Sequence, residues 1–196
     1  MSILVLAEHN NVDIKSSTLN TISAASQIEN EIDVLVTGYQ CQDLAKKISK
    51  CEKVSKVILV DDEKLSNHIA ENIEPIALSI AEKYSHIMAP ATTFGKNIFP
   101  RIAVKLDLAQ ISDVIKIINS DTFMRPIYAG NAIATVKSKD KTKIITIRPT
   151  SFDPVETSGG SEVVESLNFE TKNNNVEFID REESQSERPE LSTARV

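Results

Sequence analysis

Short apolar segments alternate with helical patterns along the first half of the chain. Each segment is largely uninterrupted, as is typical of a strand covered on both faces. Four such segments are found, at residues 3–7, 33–37, 56–60 and 86–90. Apolar residues then recur every three or four positions, which predicts helices at residues 18–28, 42–50, 73–84 and 98–108. Pro100 falls in the first turn of the last helix, where proline is tolerated. Strands that alternate with helices over short connections predict a parallel, doubly wound sheet.

The pattern changes after Ser112, where strand-like segments follow one another without helices between them. These segments are residues 114–118, 125–128, 132–136 and 143–147. We expect one of them to extend the parallel sheet and the others to add antiparallel pairs at an edge. Two more strands are predicted at residues 163–167 and 176–179. The predicted fold class is therefore α/β: a three-layer α/β/α sandwich with a mostly parallel, doubly wound sheet and an antiparallel edge portion.

The composition is ordinary, but the charge is concentrated in one segment. The chain has 196 residues, of which 41% are hydrophobic and 26% charged, and its formal net charge is −6. Residues 156–190 hold ten acidic residues and three basic ones, so the rest is nearly neutral. This excludes a strongly basic nucleic-acid-binding face. No stretch approaches the ~20 apolar residues that a membrane span requires, so we expect no membrane insertion.

The cysteines are typical of a reducing compartment. Cys41 and Cys51 flank the helix predicted at residues 42–50, and a rise of ~1.5 Å per residue separates them beyond disulfide reach. We expect two free structural thiols. The first residues show neither a signal-peptide nor a mitochondrial-leader pattern, so we expect a soluble protein that stays in the cytoplasm.

Ligands of a doubly wound sheet bind at the carboxyl ends of its strands. Here those ends carry polar residues, including His9 and Asp61, which could contact a nucleotide. No strand leads into a glycine-rich fingerprint or a phosphate loop. Ser158-Gly159-Gly160 is a motif of ATP-pyrophosphatase loops, but here it comes late in the chain and no helix follows it. Asp61-Asp62-Glu63 is an acidic turn that could recruit Mg²⁺. We expect a solvated turn in each case, no metal site and no catalytic residue.

Five sequence blocks share the pattern of one protein family. They are Ala7-Glu8-His9, residues 94–107 with Ser112-Asp113-Val114, residues 125–132, residues 148–153, and Arg188-Pro189-Glu190-Leu191 near the end. Together they span nearly the whole chain and resemble the alpha subunit of electron-transfer flavoproteins. In that family the last block leads into the glycine-rich strand that opens the FAD-binding domain.

The resemblance implies an N-terminal α/β domain at residues 1–180 and, at residues 181–196, a linker towards a C-terminal FAD-binding domain that this chain lacks. Such proteins are heterodimers with a beta subunit. They accept electrons from acyl-CoA and related dehydrogenases, as in fatty acid beta-oxidation, and pass them to a membrane quinone oxidoreductase. The resemblance also implies a bacterial cytoplasm or a mitochondrial matrix. This chain would be a scaffold that packs against the beta subunit, with FAD in the complete heterodimer and no cofactor of its own; it would carry electrons only as part of that heterodimer and would not be an enzyme.

Five charged residues within or beside these blocks are candidates for interface or structural roles: Arg101, Asp107, Asp113, Arg125 and Arg148. The three arginines lie on a helix or at strand ends, where they suit carboxylate pairing or subunit contact. As simple surface charges, each would contribute under ~1 kcal/mol. Two other functions stay open: a stand-alone nucleotide-binding module of the universal-stress type, and an ATP-pyrophosphatase-like enzyme that uses residues 158–160.

Overall fold

The computed structural model describes residues 2–171, 176–180 and 182. The helices in this part of the chain are α1 (Ser16–Ser26), α2 (Gln42–Ser49), α3 (Ala70–Ile80) and α4 (Thr93–Lys105). The strands are β1 (Ile3–Leu6), β2 (Ile32–Gly38), β3 (Val54–Asp61), β4 (His86–Pro90), β5 (Gln110–Val114), β6 (Lys116–Asn119), β7 (Thr122–Ile127), β8 (Ala132–Lys137), β9 (Lys143–Ile147) and β10 (Val164–Ser166). None of the described helices is long and apolar enough to cross a membrane. The predicted linker, residues 181–196, lies outside the described residues except for Glu182.

The strands of the described residues form two sheets. Seven strands make a parallel sheet in the order β10-β3-β2-β1-β4-β9-β5. Strands β6, β7 and β8 make a separate antiparallel sheet in that order, which we call the accessory sheet. The predicted fold class is therefore confirmed, with the antiparallel portion as a sheet of its own.

The parallel sheet is covered on both faces because its strands are apolar on both sides. Strands β1, β2 and β4 are buried along their whole length. One apolar cluster joins the sheet to α1 and α2, through residues such as Ile22 and Leu44. The other joins it to α3 and α4, through residues such as Ile73 and Phe99. This gives the three layers that the alternating pattern predicts.

The accessory sheet belongs to the same face as α1 and α2. Ile117 on β6 and Phe123 on β7 are buried in that cluster together with Ile111 and Ile145 of the parallel sheet. Strands β6 and β7 of the accessory sheet therefore cover the apolar face of β9 and β5, which a helix covers elsewhere on the sheet. Because side chains alternate along a strand, the opposite face of the accessory sheet points away from the core.

Three predictions about elements are wrong in detail. The helix predicted at residues 98–108 begins at Thr93, so Pro100 is its eighth residue and not in its first turn. Pro100 is exposed, and its ring faces away from the core. The strand predicted at residues 114–118 is divided between β5 and β6, because Asp113 adopts a left-handed conformation with φ 61°. Residues 176–179 form no strand.

Gly95 allows α4 to start close to the end of β4. A Cβ atom on Gly95 would overlap the carbonyl oxygen of Pro90, which is a backbone atom that cannot move aside. We predict that Gly95→Ala lowers the free energy of unfolding by ~2 kcal/mol or more, because helix and strand must separate. Asn97→Ala, at an exposed position of the same helix, should stay within ~0.5 kcal/mol of the unsubstituted chain. Urea unfolding of the two variants makes the comparison, and equal effects would show that the close approach is unimportant.

Candidate functional site

An open cleft lies where the strand order reverses, between the carboxyl ends of β1 and β4. Its volume is about 490 Å³, and residues that follow these two strands line it together with the loop before α3. The lining includes the side chains of Glu8, His9 and His68. In doubly wound sheets this switch point is the usual ligand site. We call it the switch-point cleft.

The carboxylate of Glu8 joins the two helices that start at this cleft. Its Oε2 atom accepts hydrogen bonds from the hydroxyl of Ser17, at 2.8 Å, and from the hydroxyl of Thr92, at 2.9 Å. Ser17 lies in the first turn of α1, and Thr92 is the residue that precedes α4. Neither helix has an acidic residue in its own first turn. Glu8 therefore supplies the negative charge that the positive ends of both helix dipoles favour.

This arrangement does not fit a bound phosphate. A helix N-terminus at a switch point normally receives the phosphate of a nucleotide. Here Glu8 already bonds the hydroxyl of Thr92 at the start of α4 and places negative charge there. A pyrophosphate, as in FAD, would meet a carboxylate of the same sign. The geometry therefore disfavours both a flavin and the universal-stress-type nucleotide site in this cleft.

His9 and His68, which the sequence places 59 residues apart, are in contact in the cleft. Their ring centroids are 4.7 Å apart, with one ring edge against the other ring's face. Nδ1 of His9 accepts a hydrogen bond from the backbone N–H of Asn11 at 3.0 Å. Burial, and then the neighbouring His68, lower the pKa of His9 to about 3. His9 is therefore neutral at physiological pH and cannot attract an anion by charge.

The other candidate sites, the acidic turn and the glycine loop, form hydrogen bonds with backbone groups of neighbouring segments. Oδ1 of Asp61 accepts from the N–H of Gln40 at 2.7 Å, and Oδ1 of Asp62 accepts from the N–H of Lys64 at 2.8 Å. Gly160 lies against the end of α2, where its N–H donates to the carbonyl of Lys50 at 2.8 Å. This position lies just before β3, at the amino ends of the strands, whereas the switch-point cleft lies at their carboxyl ends. A pyrophosphatase-like reaction would require the glycine loop to lie in that cleft, and the loop does not enter it.

Both cysteines are free and buried, as the sequence predicts. Burial raises the pKa of the Cys41 thiol to about 11, and burial also raises the pKa of Cys51. Both are therefore protonated at neutral pH and unreactive as nucleophiles.

The structure separates Arg101 and Asp107 from the other three candidate residues. Nη2 of Arg101 on α4 pairs with Oε1 of Glu71 on α3 at 2.9 Å. Asp107 ends α4 with a left-handed φ of 54°. Its N–H donates to the carbonyl of Val104, and the N–H of Leu108 donates to that of Ala103. This is a Schellman motif, so the backbone of Asp107 terminates the helix.

Asp113, Arg125 and Arg148 come together at the junction of the two sheets. The guanidinium of Arg148 donates from Nε to Oδ1 of Asp113 at 3.0 Å, and from Nη2 to Oδ2. Nη2 of Arg125 donates to the hydroxyl of Ser112 at 2.8 Å. The adjacent residues Ser112 and Asp113 thus hold two arginines, one from the accessory sheet and one from the end of β9. We call this group the junction.

Sequence reasoning did not assign roles to three residues that organise these sites. Glu8 is part of a recognised block, but Thr92 is 84 residues away and gives no sign of the pairing. Ser112 is likewise in a block without a known partner. His86 opens β4, and its Nε2 donates to the carbonyl of Ser120 in the β6–β7 turn at 2.6 Å. The sequence shows only that a histidine opens this strand, which does not identify its hydrogen-bond partner.

Comparisons with known proteins match one family over most of the chain. The family model described as "Electron transfer flavoprotein domain" matches residues 3–171. The electron transfer flavoprotein subunit alpha of Pseudomonas aeruginosa is 45% identical over 196 residues, which is 100% of this chain and 63% of that protein. The mitochondrial subunit alpha of Dictyostelium discoideum is 44% identical over 98% of this chain and 59% of its own length. A probable mitochondrial subunit alpha of Caenorhabditis elegans is 40% identical over 100% of this chain and 59% of its own length. The chain therefore spans about three fifths of the length of these relatives.

The role of Glu8 at two helix N-termini can be tested by removing only its charge. We predict that Glu8→Gln lowers the free energy of unfolding at pH 7 by ~1–2 kcal/mol, because two hydroxyl donors and two helix dipoles lose a carboxylate. Asp43→Asn, at an acidic residue in the first turn of α2 whose side chain is 91% exposed, should change it by less than ~0.5 kcal/mol. Chemical denaturation of both variants decides; a Glu8 effect no larger than that of Asp43 would contradict the assignment.

His9 predicts how stability depends on pH. In the folded chain its pKa is about 3, below the ordinary histidine value of about 6.5, so the unfolded chain binds the extra proton first as the pH falls. The contribution of neutral His9 to the free energy of unfolding is thus present above about pH 6.5 and is lost as the pH falls towards 3. Between pH 7 and pH 5, His9 alone should cost ~2 kcal/mol. His9→Gln should remove that part of the loss in denaturation curves at the two pH values, and an unchanged pH dependence would contradict it.

Proposed function

Because this chain belongs to the electron transfer flavoprotein family and corresponds to the N-terminal region of its alpha subunits, we propose that it is the scaffold and interface domain of an FAD-containing heterodimer. The observation that carries the proposal is similarity to alpha subunits along the full chain, at 45% identity to one of them. The partner in this proposal is the electron transfer flavoprotein beta subunit. The heterodimer takes electrons from acyl-CoA dehydrogenases and related enzymes and passes them to a membrane quinone oxidoreductase, in a bacterial cytoplasm or a mitochondrial matrix.

In this proposal the flavin is held outside residues 1–180, and this domain carries no redox step of its own. The switch-point cleft supports that division, because Glu8 places a carboxylate where a flavin pyrophosphate would need donors. The chain beyond β10 supports it too. The N–H of Leu167 donates to the carbonyl of Leu59, and Nζ of Lys64 donates to the carbonyl of Thr171 at 3.0 Å. These contacts tie the segment that precedes the proposed linker to the carboxyl end of β3.

The outer face of the accessory sheet is the surface that we propose for the beta subunit. Cross-strand neighbours place Pro126 beside Ile133 and Met124 beside Thr135 on this face. Ile118 is 49% exposed and Ile133 is 48% exposed. Tyr128, in the turn that follows β7, is 79% exposed. An apolar centre of this kind is typical of a protein interface.

The charge around this face favours an acidic partner surface. Residues 116–143, which contain the accessory sheet, hold six basic residues and two acidic ones, although the whole chain has a net charge of −6. Lys116 and Lys137 lie at the ends of the sheet's outer face. Such a basic rim would steer a partner with carboxylates around an apolar patch.

The five charged candidate residues serve this interface, in our proposal, mainly by holding its supports in place. The pair formed by Arg101 and Glu71 joins α4 to α3, and Asp107 ends α4. Arg125 joins the accessory sheet to Ser112 on β5, and Arg148 holds the neighbouring residue, Asp113, in place.

Co-purification tests this proposal directly. We predict that the tagged chain, expressed with the beta subunit encoded in the same genome, brings that subunit down at an equal molar ratio. The complete reading frame, expressed with the same subunit, should yield a yellow complex that releases FAD on denaturation. A chain that does not bind the beta subunit, but releases AMP or ATP when denatured, would contradict the proposal in favour of the nucleotide-binding module.

The outer face can be tested separately by adding a charge to it. We predict that Ile133→Asp weakens binding of the beta subunit at least ~10-fold, because a carboxylate would be buried in the apolar centre of the interface. Val104→Asp is the matched control: it puts the same charge on an apolar residue that is 79% exposed, on α4. Titration by calorimetry should show near-normal binding for the control. Equal losses in both variants, or no loss in either, would move the interface away from the accessory sheet.

A further inference from the structure

We propose that Ser112 and Asp113, held by Arg125 and Arg148, are positioning residues that fix the orientation of the accessory sheet on the parallel sheet. The part of this inference that concerns the beta subunit rests on the proposed function; the part that concerns orientation does not.

The junction lies at a bulge in β5. The pairing of β5 with β9 shifts register between Ile111 and Val114. Asp113 adopts φ 61°, in the left-handed region, and its N–H leaves the ladder and donates to the hydroxyl of Thr146 at 3.0 Å. Two residues later, the N–H of Ile115 donates to the carbonyl of Met124 and begins the pairing of the accessory sheet. The direction of the chain at Asp113 therefore sets the direction in which the accessory sheet starts.

Two guanidinium groups hold this bulge from different sides. Arg148 follows β9, its backbone N–H donates to the carbonyl of Val114, and its side chain binds both oxygens of Asp113. This two-point geometry fixes angle as well as distance. Arg125 comes from the accessory sheet itself and donates to Ser112, the neighbouring residue. Rotation of the accessory sheet about the bulge would break the contact of Arg125 with Ser112, while the Arg148 pair fixes the bulge from which that sheet starts.

A second directional contact lies at the other end of the accessory sheet. His86, at the start of β4, donates to the carbonyl of Ser120 in the β6–β7 turn at 2.6 Å. The apolar residues between these points, Ile117 and Phe123, contribute attraction without a preferred direction. Hydrogen bonds at two separated points supply the direction that apolar packing lacks.

The junction should matter more for orientation than for global stability. The side chains of Arg148 and Asp113 are 40% and 28% exposed, so solvent screens their attraction. Loss of the pair should leave the central strands of the parallel sheet folded and loosen the bulge in β5 together with the accessory sheet that starts from it. That separates a positioning role from a general structural one.

Asp113→Gly is the most informative variant. Glycine adopts the left-handed conformation readily, so the substitution removes the carboxylate without straining the bulge. We expect amide hydrogens of β6, β7 and β8 to exchange at least ~10-fold faster, while those of β1, β2 and β4 keep their rates. The urea midpoint should move by less than ~0.5 M. Affinity for the beta subunit should fall at least ~5-fold, since the outer face is no longer held in one orientation.

Glu71→Gln is the matched control, because it breaks an ion pair whose side chains are also 40% and 28% exposed, between α3 and α4. It should leave exchange in the accessory sheet unchanged. If Asp113→Gly does not fold, Arg148→Lys carries the same test, since it keeps the charge and loses the two-point contact. Exchange that rises equally in both sheets, or in neither, would overturn the inference. If the unsubstituted chain does not bind the beta subunit but exchange changes as expected, the proposed function is wrong and the orientation role stands.

Discussion

The need to cover both faces of a parallel sheet governs this structure. Helices α3 and α4 cover one face, and α1 and α2 cover part of the other. Over β9 and β5, that second face is covered by the accessory sheet, through Phe123 and Ile117. A sheet can cover a core with one face and still present its other face outwards, where a helix would present mostly polar residues. The outer face of the accessory sheet carries Ile133, which is 48% exposed, where a solvated sheet face is normally polar.

The same sheet shows how a common ligand position can be given a structural role. The switch-point cleft has the location and the helix N-termini of a nucleotide site, yet Glu8 serves both helices from within the chain. His9 and His68 pack beside it, and burial keeps His9 neutral. The cleft is thus stabilised by its own residues. This self-contained cleft supports the proposed role of the domain as a scaffold.

Local patterns predicted the elements that are fixed by burial, and they missed features that depend on residues far away in the sequence. Strands such as β2 and β4 were predictable because they are apolar and enclosed by short connections. The start of α4 was not, because it depends on the close approach of Gly95 to Pro90 and on the bond of Glu8 to Thr92, while the apolar stripe begins only at Ile98. The alternation at residues 176–179 resembles a strand, but no strand forms there. A strand needs a partner edge, and an alternating pattern cannot name one.

The candidate site was predictable in its residues but not in its arrangement. The recognised blocks contain Glu8, Ser112, Asp113, Arg125 and Arg148. Their partners are far away along the chain: Arg148 reaches Asp113 across 35 residues, and Thr92 reaches Glu8 across 84. The left-handed conformation of Asp113 has no sequence signal, since aspartate occurs in many conformations. Only the folded topology shows that two arginines meet one bulge.

In the proposed function, this domain docks the beta subunit through the outer face of its accessory sheet. The most direct measurement is the hydrogen-exchange footprint of the beta subunit on this chain. We predict slower exchange across residues 116–137, with the loops of the switch-point cleft unchanged. Protection centred on residues 8–15 and 91–97, with none on the accessory sheet, would contradict the account.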